Sequence, residues 1–287
     1  MLFRSHVDID PQELGRNYAP TLGIMADVKV FTRQLLTALR QENPDDLRYA
    51  AWLNDVRGWQ AEWESFIRPH FGDSTSPLRP EFVVGTLQKH LPDDVILALD
   101  SGVHHNWFMQ FWQAKRPQSM LNTWGYSSMG FGVCGVLGAQ LAAPDRPCVA
   151  VVGDGGFTMA PYVLCTAVEY NLPVVWIVWN NFAWGAIRDL QYGLFDGREI
   201  GTAFYKGQTG ERYNPDFAAW ARACGADGYT VTRPQELGAT VEQALKARRP
   251  CVIDVHVDSE VRPPSTGAWQ LPPLPFKEPV FGRRHHS

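Results

Sequence analysis

The sequence predicts an α/β protein: a doubly wound parallel sheet with helices on both faces. Two observations predict it. Short apolar runs recur at 95–99, 148–152, 174–179, 229–231 and 252–257, each suited to a strand buried on both faces. Helical patterns at about 81–90, 128–142, 158–170, 215–224 and 235–247 alternate with them. Such alternation implies βαβ units, and in such sheets ligands collect at the carboxyl ends of the strands.

The regular text occupies 80–260. Residues 1–40 read as one strand, from His6 to Ile9, a turn at Asp10-Pro11 and a helical pattern from Val28 to Leu39. That is too little for a layered core and looks like the end of another domain. A helical linker is expected over 41–79, after the breaker Glu42-Asn43-Pro44. Trp52, Trp59 and Trp63, at spacings of 7 and 4, share one face of its helix, which is expected to pack on a neighbouring domain. The Pro-rich stretch 261–287 has no periodicity and reads as an extended arm.

Composition narrows the function. Among 287 residues, 26 Lys and Arg face 30 Asp and Glu, for a formal net charge of −4, which argues against a nucleic-acid or anionic-membrane surface. At 45% hydrophobic and 20% charged the chain can bury a sizeable core. Cys134, Cys148, Cys165, Cys224 and Cys251 form no C-x-x-C pair and read as reduced thiols, so a cytoplasmic location is expected. The first 20 residues hold no apolar signal segment, and no uncharged apolar run approaches the roughly 18 residues of a membrane span.

The chemistry concentrates after the strand at 148–152. There Gly153-Asp154-Gly155-Gly156-Phe157 opens a helix, a strand-to-helix turn whose N–H groups suit a phosphate. It is not a dinucleotide fingerprint, because Thr158 stands where the third Gly belongs. No Gly-Lys pair exists for a Walker motif, and Met129 spoils a hydrolase elbow at Gly125-Tyr126-Ser127. An acid beside a phosphate is repulsive unless a divalent cation bridges them, so Asp154 implies such a cation. The next strand ends in Trp179-Asn180-Asn181, which offers a neutral oxygen 27 residues after Asp154.

With this pairing the sequence resembles the thiamine-diphosphate-dependent enzymes, whose motif joins Gly-Asp-Gly to a later Asn-Asn. It is closest to the acetolactate-synthase-like branch of 2-oxo-acid decarboxylases and carboligases. Gly102-Val103-His104-His105-Asn106-Trp107, with Gln110 and Trp112, looks like that branch's GQHQMW segment, and Ser128-Met129-Gly130-Phe131-Gly132 looks like its GxMGFG segment.

The resemblance implies roles for individual residues. Asp154, Asn181 and the Ala183 carbonyl would hold Mg²⁺, with diphosphate oxygens and a water completing an octahedron. Gly102, His104, His105, Gly153, Gly155, Gly156 and Phe157 would surround the diphosphate, the N–H groups of Gly155 and Gly156 facing it. Met129 would be the wedge that bends the cofactor, and the Ser127 carbonyl would accept from its 4′-amino group. Many relatives have Gly at the Ser127 position, so the local backbone is a test of the match. Trp184 and Gly185 would complete the cofactor-binding set, while Trp184, Ile187 and Leu190 follow where relatives line the substrate channel, with core packing an equal alternative.

One part is missing. Thiamine catalysis needs a carboxylate on N1′ of the aminopyrimidine, which in this family is a Glu in a separate pyrimidine domain of the other protomer. Only Glu13 and Glu42 occur in the first 50 residues, and neither is placed for that task. The opening segment resembles the last strand and helix of the family's central domain. The resemblance therefore implies one subunit of a split enzyme in a hetero-oligomer, a dimer of heterodimers, whose second polypeptide carries the pyrimidine domain and the Glu. It implies decarboxylation of a small-molecule 2-oxo acid followed by capture by a second carbonyl compound or by a proton, so a simple decarboxylase remains open. A non-catalytic thiamine-diphosphate-binding or regulatory subunit is the alternative, and a bare nucleotide-binding module a distant third. Asp8, Ile9 and Asp27 resemble the closing edge of a pocket that often holds FAD or ADP in relatives, which leaves FAD open. Trp107 and Trp112 are expected, with the linker tryptophans, on surfaces facing partner domains.

Overall fold

The computed structural model describes residues 4–42, 49–123 and 125–264, in two compact units, Met1–Ser65 and Phe66–Ser287. The expected breaker at Asn43-Pro44 and the arm beyond residue 264 lie outside the described residues.

In the first unit β1 (Ser5–Asp8) pairs in parallel with β2 (Leu22–Met25), Ser5 opposite Leu22 and Asp8 opposite Met25. The expected single strand is therefore corrected to two. The second is only four residues, holds a Gly and follows Pro20, so it carries little strand pattern. Asp8 and Asp10 turn the chain after β1 by accepting the N–H groups of Asp10 and Gln12 at 2.9 Å. Helix α1 (Val28–Glu42) is capped by Asp27, whose Oδ1 accepts from the Val30 N–H at 3.0 Å. It buries none of its residues, and Val28, Val30, Leu35, Leu36 and Leu39 are exposed. In α2 (Ala50–Ile67), Trp52 and Trp59 meet edge to face at 5.4 Å. They are 58% and 55% exposed.

The second unit holds the regular α/β region. Its elements are α3 (Pro80–His90), β3 (Ile96–Leu99), α4 (Val103–Phe111), β4 (Met120–Leu121) and α5 (Phe131–Ala142). Then come β5 (Cys148–Gly153), α6 (Asp154–Phe157), α7 (Val163–Glu169), β6 (Val175–Asn180) and α8 (Gly185–Leu194). The last are α9 (Phe217–Ala223), β7 (Asp227–Val231), α10 (Pro234–Ala247) and β8 (Cys251–His256). All pairings are parallel, in the order β4-β3-β5-β6-β8-β7. The chain leaves β3 toward one edge and returns to β5 on its other side, so strand order reverses between them. Crevices at such reversals are where open α/β sheets bind ligands.

Alternate strand residues build two cores. Leu97, Leu99, Val149, Val151, Ile177 and Trp179 face one side; Ala98, Ala150, Val152, Trp176 and Val178 face the other. Trp107 is 1% exposed and belongs to the first core, so it is a core residue rather than a partner-facing one, and the half-buried Trp112 packs against that core. The aromatic-rich, nine-residue α4 has weak helix propensity, which explains why its pattern was not legible. All five cysteines are free thiols. Among the described residues no helix is long and apolar enough to cross a membrane.

Candidate functional site

A cavity of about 100 Å³ opens at the carboxyl ends of β3, β5 and β6. It is lined by residues that follow those strands: Ser101 to His104, Gly153 to Gly156, and Asn181 with Ala183 to Ile187, plus Met129. The helices α4, α6 and α8 all begin there, so three sets of N-terminal N–H groups converge on it.

Asp154 is 1% exposed at the start of α6. Its Oδ1 accepts from the Gly155 N–H at 2.8 Å, and its Oδ2 from Asn214 Nδ2 at 2.8 Å and the Ala183 N–H at 3.3 Å. Burial pushes its carboxyl up to about 7, against the pull of those hydrogen bonds. Among the described residues no Lys, Arg or His forms an ion pair with it. A buried carboxylate without a countercharge is costly, and a divalent cation would remove that cost.

The other expected ligands are close by. Trp184 donates its N–H to Thr202 and Phe204 donates to Phe182, both at 2.8 Å. Ala183 lies between these bonds, opposite Ala203, and turns its own N–H to Asp154. Phe182 is forced to φ +56°, a left-handed conformation that costs a non-glycine residue roughly 1–2 kcal/mol. The two asparagines separate cleanly. Asn180 is tied to Asp254 at 2.9 Å and Asn214 at 2.7 Å, whereas Asn181 lines the cavity.

His104 is 1% exposed, and its buried Nε2 has no hydrogen-bond partner among the described residues. Burial, then the neighbouring His105, lowers it to about 3, so the ring is neutral. Burial also lowers His105. A Cβ on Gly102 would stand 2.7 Å from the His104 ring, so only Gly lets that ring fold back under the helix start. A Cβ on Gly155 would stand 2.2 Å from the Trp184 indole, which lies directly on the glycine backbone. The Gly155 N–H points at Asp154 Oδ1.

His105, Ser127 and Phe157 are not among the residues lining the cavity. Phe157 is fully buried with its ring edge-on to Phe217 at 5.6 Å, so its side chain sits in the core. Ser127 takes φ +52°, the conformation glycine would favour, and its Oγ is 3.0 Å from Ser101 Oγ. Met129, 39% exposed, projects beside it into the cavity.

Two residues were missed by sequence reasoning. Asp100 is fully buried after β3; its oxygens accept from Gly130 and Ser101 at 2.9 Å and from Gly132 at 3.4 Å, closing the start of α5 behind Met129. Burial raises its carboxyl above the ordinary range. An acid directly after an apolar strand, the same pattern as Asp154, could have flagged it. Asn214 arrives from a loop and carries no comparable pattern.

A doubly wound domain with a buried acid, glycine backbone and helix starts gathered at its strand ends defines a class: α/β domains that receive a phosphorylated ligand there. The family model for the thiamine pyrophosphate enzyme C-terminal TPP binding domain matches residues 100–255, and the chain belongs to that family. It is 32% identical to YdaP of Bacillus subtilis over 94% of this chain and 43% of that one. It is 30% identical to the acetolactate synthase large subunit of Cyanidium caldarium, over 87% and 41%. With the acetolactate synthase isozyme 3 large subunit of Escherichia coli it shares 28% identity over 88% and 43%. The chain thus spans less than half the length of each of these relatives.

Proposed function

We propose that this chain is the diphosphate- and Mg²⁺-binding subunit of a split, cytoplasmic, thiamine-diphosphate-dependent 2-oxo-acid decarboxylase or carboligase. A second polypeptide supplies the pyrimidine domain and the activating Glu. The carrying observation is Asp154, buried without a cationic partner among the described residues, at a point where three helices present their N-termini. The cavity fits a diphosphate and its cation: His104 Nε2 is an orphaned polar atom beside it, and Asp154 and Asn181 bring side-chain oxygens to its lining.

When bound, thiamine diphosphate supplies an electron sink for the carbanion left by loss of CO₂. This chain's residues bind and orient. Asp154, Asn181 and the Ala183 carbonyl offer hard oxygen ligands to Mg²⁺. Neutral His104 and the starts of α4, α6 and α8 hold the diphosphate charge. Met129, backed by α5 and the Asp100 carboxylate, presents a hydrophobic side chain to the cofactor, and Trp184 with its edge-on neighbour Phe204, 5.3 Å away, shields the diphosphate end from water. The relatives' names support the reaction class.

The test is reconstitution. The full chain is mixed with a chain equivalent to the relatives' remaining part, and CO₂ release from pyruvate and other 2-oxo acids is measured with Mg²⁺ and thiamine diphosphate. Neither chain alone should turn over, the mixture should, and Asp154→Ala should abolish it. Product analysis separates an acyloin from an aldehyde. Activity of the isolated chain, or of the Asp154→Ala mixture, contradicts the proposal. Tight binding with no turnover would instead favour a non-catalytic subunit.

A further inference from the structure

We propose that Asn214 is a positioning residue of the cation site: by holding Oδ2 it fixes the orientation in which the Asp154 carboxylate meets a divalent cation. The inference rests on reading Asp154 as a cation ligand. A carboxylate has about four lone-pair sites, two on each oxygen. On Oδ2 both are taken, by Asn214 Nδ2 at 2.8 Å and the Ala183 N–H at 3.3 Å. On Oδ1 the Gly155 N–H takes one, at 2.8 Å, and the Phe182 N–H also donates to the carboxylate. These bonds hold the carboxylate in one orientation, and Asn214 is the side chain among the donors.

What compels Asn214 to present its N–H rather than its carbonyl lies farther away. Asp254, 3% exposed at the carboxyl end of β8, offers only acceptors when ionised. Asn180 must therefore turn Nδ2 toward it, and does so at 2.9 Å. That leaves Asn180 Oδ1 as an acceptor, which Asn214 Nδ2 meets at 2.7 Å. Donor and acceptor senses are passed from Asp254 through two amides to Asp154, and His256 Nε2 stands 3.6 Å from the far oxygen of Asp254. The relay also engages the Asn180 side chain at both ends, so Asn181 is the asparagine left for the cavity. Asn214 itself is placed by the turn into α9, where Asp216 accepts the Ala219 N–H at 2.8 Å.

Partners of metal ligands of this kind are worth about 10- to 100-fold in metal affinity. The experiment titrates Mn²⁺ into the full chain with saturating thiamine diphosphate and reads free Mn²⁺ by electron paramagnetic resonance, beside a thermal melt of each variant. Asn214→Ala should raise the Mn²⁺ dissociation constant at least tenfold. Asp254→Asn, remote from the cation, should raise it several-fold by letting the Asn180 amide turn over, with the thermal midpoint shifted little. If Asp154→Ala removes Mn²⁺ binding while Asn214→Ala leaves it unchanged, the positioning role is overturned and the cation reading stands. If Asp154→Ala leaves binding unchanged, both fall. Should Asn214→Ala not fold, Asp254→Asn decides, and wild-type affinity there overturns the proposal.

Discussion

Raising the pH of the cation-free protein should remove the part of its stability that Asp154 contributes. Its carboxyl is pushed from an ordinary 3.8 to about 7 by burial. The folded state therefore holds a proton between those values that the unfolded chain has released, and linkage makes stability fall as pH rises across that window. At about 1.4 kcal/mol per unit the loss is on the order of 4 kcal/mol, complete above pH 7. Urea unfolding of the full chain from pH 4 to pH 8 measures it, with Asp154→Asn as the reference. The amide disturbs local hydrogen bonds, but by an amount that does not vary with pH. The difference between the two proteins should shrink steadily with pH and level off above 7. Mg²⁺ with thiamine diphosphate should reverse the trend, stabilising wild type more at pH 8 than at pH 5. Parallel stability profiles for wild type and Asp154→Asn would refute the reasoning.

Other outcomes follow from the same geometry. Ser127→Gly should be more stable than Ser127→Ala by about 1–2 kcal/mol in chemical denaturation, because both lose the Ser101 contact and only Gly is at ease at φ +52°. Asp100→Ala, which strands the N–H groups of Ser101 and Gly130 in the core, should cost roughly 2–5 kcal/mol by the same assay. Gly155→Ala should displace the Trp184 indole, seen as a change in tryptophan fluorescence, and Trp184→Ala in the same chain should relieve the strain.

The sheet was legible because β3, β5, β6 and β8 are buried on both faces and therefore written as nearly unbroken apolar runs. Elements written otherwise were not. The strand Leu22–Met25 is half glycine-softened and exposed, α4 is built from aromatic and histidine residues, and β4 has only two residues. At the site, Asp154 and Asn181 stood out because an acid in a phosphate turn is chemically paradoxical. Asn214 did not, since its role depends on a loop returning from far along the chain, a tertiary fact with no local pattern. Phe157 follows the turn in sequence, but the first turn of α6 carries its ring into the core. Trp107 misled for the converse reason: a tryptophan beside a binding segment reads as surface, yet the helix turns it inward.

The central claim is that this chain by itself holds the cation and the diphosphate end of thiamine diphosphate. Calorimetric titration of thiamine diphosphate into the full chain, with and without Mg²⁺, tests it most directly. The account predicts binding that requires Mg²⁺ and disappears in Asp154→Ala. Binding of equal strength without the metal, or unchanged in Asp154→Ala, would contradict it.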